Sequence, residues 1–273
     1  YTLTYGQNDP TVDAGLFKPA SITGTVFVDA NNNGILDAGE TRLPNVTITL
    51  TGTDGAGNSV TRTVTTAPDG TYTFDNLVPG SYTVSEAQPS GYLDGKDSIG
   101  NSGGTLANDS ISSINLVSGS AVTDVNFGEL PPAKLGDRVW IDANANGKQD
   151  ALEANAAGVT VELYASVAGL ATGSALASTT TNSYGNYEFA GLAAGSYIVK
   201  FITPTGFLLS AANLGGDDSQ DSDAAAAGTT STYTLTYGQN DPTVDAGLFK
   251  PASITGTVFV DANNNGILDA GET

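Results

Sequence analysis

The chain has no cysteine, no histidine and no methionine. Without an imidazole or a thiolate it cannot build the usual zinc site, a Ser-His-Asp triad or a thiol nucleophile. Paired carboxylates, as in glycoside hydrolysis, are the acid–base chemistry left open. Disulfide staples are excluded too, so an exported fold of this sequence must draw its stability from something else. Basic side chains are scarce: 9 Lys and Arg face 29 Asp and Glu, for a net charge of −20. Such a surface repels a phosphate backbone and an anionic membrane alike, which argues against nucleic acid as a partner. No run of about 18 apolar residues exists, so no membrane insertion is expected, and no signal peptide or sorting tail is visible. The chain reads as an internal piece of something longer.

What the sequence does have is repetition. Residues 1–41 recur without a change at 233–273. Folding demands alone do not fix surface positions, so identity over such a length points to recent duplication and a tandem array. A weaker repeat lies inside that period. "GTVFVDANNNGILDAGETRLPNVTITLTG" aligns with "DRVWIDANANGKQDALEANAAGVTVELYA", and "DGTYTFDNLVPGSYTV" with "YGNYEFAGLAAGSYIV". The unit is therefore a module of roughly 115 residues, an ordinary domain size.

Each module reads as all-β. Val46, Ile48 and Leu50 alternate with Thr47, Thr49 and Thr51, and Tyr72 with Phe74 and Tyr82 with Val84 continue the pattern. Period-two alternation gives strands with one dry and one wet face, and Gly, Pro, Asn and Asp punctuate them. The expected architecture is a β-sandwich. Trp140, Tyr72, Phe74, Tyr187 and Phe189 are assigned to its core.

The most specific motif is a twelve-residue acidic loop present three times. It offers Asp29, Asn31, Asn33, the Ile35 carbonyl, Asp37 and Glu40, with Gly34 at the turn. A second copy offers Asp142, Asn144, Asn146, the Lys148 carbonyl, Asp150 and Glu153, with Gly147 at the turn; the third offers Asp261, Asn263, Asn265, the Ile267 carbonyl, Asp269 and Glu272. Oxygen ligands at positions 1, 3, 5, 7, 9 and 12 with glycine at 6 make up the calcium-loop pattern. Strand-like segments flank the loop, so it has no helix pair to open as a sensor does, and the ion is expected to be structural. Asn at two ligand positions lowers the site charge, which suggests extracellular affinities of about 10⁻⁵ to 10⁻³ M.

A further acidic stretch, "GGDDSQDSDAAAAG", supplies Asp217, Asp218, Asp221 and Asp223, which could join Asp241 and Asp245 in another calcium site. It reads equally as a solvated acidic loop. In the first module "DGKDSIG", with Asp94 and Asp97, is the nearest equivalent and is poorer in ligands.

"ITGTVFVDANNNGILDAGE", "DGTYTFDNLVPGSYTVSEAQPSGYLDGKDS" and "VDAGLF" resemble the B-type repeat domains of serine-aspartate repeat surface proteins, relatives of collagen-adhesin B-type domains. The resemblance covers essentially the whole chain. It implies tandem immunoglobulin-like β-sandwich modules, stabilised by calcium and serving as a stalk at the bacterial cell surface. Some B-type domains form a Lys–Asn isopeptide bond beside an inward Glu. Glu86 matches that Glu, but Ile22 to Val28 holds no Lys and Phe201 replaces the Glu in the second module, so no isopeptide is expected. Glu86 is expected to hydrogen-bond to backbone, because a buried carboxylate needs partners.

The expected organisation is a terminal strand of an upstream module at 1–19, modules at 20–131 and 132–250, and the start of a downstream module at 251–273. Short Pro-bearing connections between them favour a stiff joint. The expected function is that of a non-enzymatic, extracellular structural repeat, a rod whose partners are calcium and neighbouring modules or other copies in a filament. The alternative is an adhesin module that itself grips a host, matrix or glycan ligand. Near-identical repetition favours the rod, since no patch of aromatics or Arg stands out.

Overall fold

The computed structural model describes residues 1–273, and every regular element in it is a strand. Packing divides the chain into two compact units, one of 1–135 with 189–196 and 233–241, the other of 136–188 with 197–232 and 242–273.

In the first half of the sequence the strands are β1 (Ala20–Val28), β2 (Thr47–Asp54), β3 (Ser59–Thr65), β4 (Thr71–Leu77), β5 (Gly80–Glu86), β6 (Leu93–Asp94), β7 (Thr105–Ala107), β8 (Ser110–Leu116), β9 (Ala121–Val122) and β10 (Phe127–Leu130). One sheet runs β4-β1-β10-β6 with β9 also on β1, and the other runs β3-β2-β5-β8-β7. The alternation read from the sequence decides which side chains fill the space between them. Ile22, Val26, Phe74 and Phe127 come from one sheet, and Ile48, Leu50, Val84, Ile111 and Ile114 from the other, all buried in one core. Thr47, Thr49 and Thr51, which alternate with Ile48 and Leu50, take the wetter face, as half-buried pleated sheets require.

The second half repeats the scheme with β11 (Ala133–Ile141), β12 (Ala154–Asn155), β13 (Thr160–Val167), β14 (Leu170–Thr180), β15 (Asn186–Leu192), β16 (Gly195–Ile202), β17 (Leu208–Leu209), β18 (Tyr233–Leu235), β19 (Asn240–Asp241) and β20 (Ala246–Phe249). The first and last long strands of each repeat lie side by side in parallel: Val28 stands opposite Glu129 on β1 and β10, and Ile141 opposite Leu248 on β11 and β20. Trp140, Tyr72, Phe74, Tyr187 and Phe189 are all buried, as their place in the apolar alternation requires.

Two side chains brace each repeat in the same way. The Tyr72 hydroxyl donates to the Val125 carbonyl at 2.6 Å, and Tyr187 to Val244 at 2.7 Å. Buried Thr66 accepts from the Val46 N–H at 2.9 Å and donates to the Leu43 carbonyl at 2.7 Å. Thr181 does the same for Val159 and Ala156, at 3.0 and 2.6 Å. These threonines pin the chain as it leaves the acidic loop, so the loop is held at both ends: β1 or β11 at its entry, the threonine bracket at its exit.

Residues 1–19 and 251–273 contain no strand. The same residues in the interior do: 233–250, identical to 1–18, contain β18, β19 and β20, and 20–28 form β1 where their copy at 252–260 does not.

Candidate metal centres

Asp29 follows β1 directly and is fully buried, its backbone N–H held by the Glu129 carbonyl at 2.8 Å. Its carboxylate accepts two backbone N–H groups of its own loop, Asn33 at 3.0 Å and Gly34 at 2.6 Å. That second bond needs the turn at Gly34, whose φ is +78°, a region open to glycine and costly for other residues. Asn31 accepts from the Asn33 N–H at 3.0 Å and Asn33 from the Ile35 N–H at 2.7 Å. Both carboxamide N–H₂ groups, Asn31 and Asn33, donate at 2.9 Å to one oxygen of Asp37. Glu40 folds back to accept the Asp37 N–H at 2.8 Å. The two carboxamides on Asp37, Asn31 foremost, hold its carboxyl below the usual carboxylate range.

The other two loops repeat this scheme. Asp142 accepts from Asn146 at 3.1 Å and Gly147 at 2.7 Å; Asn144 and Asn146 converge on Asp150, and Glu153 accepts from Asp150 at 3.0 Å and Ala143 at 2.8 Å. Lys148, at the seventh position, is tied by its N–H to Asn146 at 2.8 Å. Asp261 accepts from Asn265 and Gly266, Asn263 and Asn265 converge on Asp269, Ile267 is tied to Asn265, and Glu272 accepts from Asp269 and Ala262.

Each loop therefore ties its position-one Asp to the backbone of positions 5 and 6, its two carboxamides to the position-nine Asp, and its position-twelve Glu to the position-nine N–H. The three carboxylates of a loop are not drawn together within 4.8 Å as other acids of the chain are. The carboxamide nitrogens lie on the position-nine carboxylate, where they supply the positive end that a cation would. Turning each carboxamide about its last bond exchanges nitrogen for oxygen without changing its shape. In the first loop the Asn32 carboxamide oxygen is buried with no partner. This donor set fits a hard, oxygen-preferring cation and would suit neither zinc nor copper.

The second acidic stretch is partly gathered. Carboxylate oxygens of Asp218, Asp221 and Asp223 lie within 4.8 Å of one another. Asp221 accepts the Gly215 N–H at 2.6 Å while its other oxygen is buried without a partner. Asp223 accepts the Asp245 N–H at 2.6 Å, and Asp245 in turn accepts from the Arg138 N–H at 3.1 Å. Burial first, and then the neighbouring Asp137 carboxylate, push the Asp245 carboxyl up to about 9. Asp217 instead turns to the Ser219 and Gln220 side chains at 2.7 and 3.1 Å, and Asp241 sits on β19 opposite Leu135. Asp137 escaped the sequence reading because it is a single acid within a strand-like run.

The first half corrects one expectation. The Glu86 carboxylate makes no hydrogen bond to backbone; both of its oxygens are buried with no N–H or O–H donor, and its one side-chain neighbour within hydrogen-bond reach is another carboxyl, Glu129. It faces Asp109 and Glu129, with carboxylate oxygens of the three within 4.8 Å, and Asp94, Asp97 and Asp109 form a second such set. Asp109 and Glu129 went unnoticed in the sequence because each stands alone between uncharged neighbours. Comparing the two repeats position by position would have found them, since the second repeat has Gly228 and Leu248 in their places.

Residues 20–128 and 133–248 match the family model for the SdrD B-like domain. The chain is 36% identical over 273 residues to serine-aspartate repeat-containing protein D of Staphylococcus aureus (strain Newman), covering 98% of this chain and 20% of that protein. It is 35% identical over 285 residues to serine-aspartate repeat-containing protein F of Staphylococcus epidermidis, covering 99% and 15%. The chain thus spans a fifth or less of the length of these curated relatives. Among solved structures, the shaft pilin SpaA from Lactobacillus rhamnosus GG is matched at 12% identity with a TM-score of 0.37, over 88% of this chain and all of that one.

Proposed function

The chain belongs to the SdrD B-like domain family, and from that premise we propose that it is a calcium-braced structural repeat unit of an extracellular stalk or filament. Family membership makes it a tandem all-β module of a bacterial surface protein. The finer reading is supported by one observation: all three loops carry the twelve-residue oxygen pattern and fold it alike, the first Asp on the glycine turn and both carboxamides on the position-nine Asp. Empty, each loop holds three carboxylates that repel one another; a dication offsets most of that charge and locks the segment between two strands. Modules stiffened in this way and joined by short Pro-bearing connections would project or connect as a rod, with calcium and neighbouring modules as partners.

Thermal unfolding of the 273-residue chain in millimolar calcium and in chelator tests the reading. A large fall in midpoint on chelation, restored by calcium, is expected; an unchanged midpoint would leave the loops as polar turns. Saturable binding of the chain to a glycan or matrix protein would favour the adhesin alternative over a pure stalk.

A further inference from the structure

The five acids Glu86, Asp94, Asp97, Asp109 and Glu129 belong to no twelve-residue loop. They come together from β5, β6, the segments before β7 and β8, and β10, in two sets of three that share Asp109. Glu129 is fully buried and Glu86 is 9% exposed. Five of their carboxylate oxygens are buried with no hydrogen-bond partner: both of Glu86 and one each of Asp94, Asp109 and Glu129. The remaining contacts are sparse. Gln88 donates to Glu129, the Asp109 and Gly128 N–H groups donate to Asp97 at 3.2 and 3.3 Å, and Asn108 reaches Asp109 at 3.3 Å. No lysine or arginine forms an ion pair with any of the five.

The second repeat shows that the fold does not require acids here. Glu86 pairs with Ile48 as Phe201 pairs with Val161, and donates its N–H to Asp109 as Phe201 does to Gly228. Glu129 pairs with Val28 and Asp94 as Leu248 pairs with Ile141 and Leu209. Gly128 donates to the Asp97 side chain as Gly247 does to Ser222. The second repeat therefore holds Phe201, Leu209, Ser222, Gly228 and Leu248 where the first holds five carboxyls. Buried carboxylates without a compensating charge or donor are destabilising, so a sequence that places Glu86, Asp94 and Glu129 where Phe201, Leu209 and Leu248 also fit has something to bind.

We propose that Glu86, Asp94, Asp97, Asp109 and Glu129 form a cation site of the first repeat, separate from the loops, that takes a hard divalent ion of calcium's size. Oxygens on opposite sides of a calcium ion at about 2.4 Å lie about 4.8 Å apart, and the spread of each set, within 4.8 Å, fits inside one such shell. Asp109 serves both sets, so the site has room to bridge two ions. Asp97 also links it to the first loop, since its carbonyl lies 3.6 Å from where a Cβ on Gly34 would stand. The two repeats are then unequal: Phe201, Leu209 and Leu248 stand in the second where Glu86, Asp94 and Glu129 would hold a metal in the first.

The test is calcium stoichiometry of the metal-depleted 273-residue chain, by equilibrium dialysis and titration calorimetry with calcium chloride. Replacing the acids by the second repeat's residues, Glu86→Phe with Asp94→Leu and Glu129→Leu, should remove at least one bound calcium. The isosteric pair Glu86→Gln with Glu129→Gln should do the same, and decides the question should the apolar variant fail to fold. Unchanged stoichiometry in the amide pair would overturn the proposal and leave the carboxyls sharing protons only. A loop variant, Asp37→Ala with Asp150→Ala and Asp269→Ala, separates the two readings. It should lose loop ions and keep the cluster ion; if it binds as much calcium as the parent, the loop reading fails while the cluster stands.

Discussion

The Asp29 carboxylate accepts the Gly34 N–H at 2.6 Å, a bond that closes the loop across five residues and recurs between Asp142 and Gly147 at 2.7 Å. It exists only because both glycines turn through positive φ, +78° and +76°. Alanine at either position costs about 1–2 kcal/mol of backbone strain, and the surroundings add to it unequally. A Cβ at Gly147 would stand 2.6 Å from the Ala211 carbonyl, whereas one at Gly34 comes no nearer than 3.3 Å to anything, the Lys96 side chain first and then the Asp97 carbonyl at 3.6 Å. Gly147→Ala is therefore expected to lower the denaturation midpoint more than Gly34→Ala. Gly266→Ala, in a segment without strands and with nothing within 4 Å, should leave global unfolding unchanged. Equal losses at all three sites would contradict this account of the loop.

Thr66 is the exit pin of the first loop. Its hydroxyl serves both the Val46 N–H and the Leu43 carbonyl, and it is 3% exposed, so no water replaces it. Thr66→Val keeps the shape and strands two backbone groups at about 1–3 kcal/mol each. A loss of about 2–4 kcal/mol in urea unfolding is expected, with Thr66→Ser recovering most of it. A Val variant as stable as the parent would mean that the bracket is decoration.

Leu152 marks a defect in the second loop. At the eleventh position the other loops carry Gly39 and Gly271, with φ of +98° and +100°, but here a leucine takes φ +76° with its side chain wholly in solvent. Removing that strain gains about 1–2 kcal/mol, less the roughly 0.5–1 kcal/mol that glycine's extra freedom costs on folding. Leu152→Gly should raise the stability of the second repeat by about 0.5–1 kcal/mol. A fall in midpoint would show that Leu152 has a contact in solution that compensates for its backbone.

Local pattern carried much of this structure in the sequence. The Ile48 and Leu50 alternation placed the core, and the spacing from Asp29 to Glu40 placed the loop, because both signals lie within a few residues of chain. The fate of residues 1–18 was not legible there. Their exact copy at 233–250 contains three strands, while 1–18 contain none, since a strand exists only where a neighbour satisfies its backbone. The same limit hid the partners of Glu86. A buried carboxyl was readable from its place beside Tyr82 and Val84, but Asp109 and Glu129 reach it only through the pairing of β5 with β8 and of β1 with β10.

The acid clusters set how the metal-free protein responds to pH. Burial pushes the Asp97 carboxyl up to about 7, and burial also raises Glu129 and Glu86, the latter further by repulsion from Glu129 and Asp97. In the unfolded chain the same groups titrate near about 4. Across the interval between, the folded state binds more protons than the unfolded one, so stability falls as pH rises. The contribution is complete below about pH 4 and is lost through about pH 7 and above, where Asp245 in the second repeat, raised to about 9, extends the decline. Asp37, Asp150 and Asp269 are held below their ordinary value by their carboxamide neighbours, so their support disappears only at more acidic pH, outside that window. Calcium acts in the opposite sense, since it binds deprotonated carboxylates and competes with protons for them. Urea midpoints of the metal-depleted chain should therefore drop from about pH 5 to about pH 8. The gain on adding millimolar calcium should widen over the same range. A metal-free midpoint that rises with pH would mean that these carboxyls are compensated within the fold by groups other than a cation.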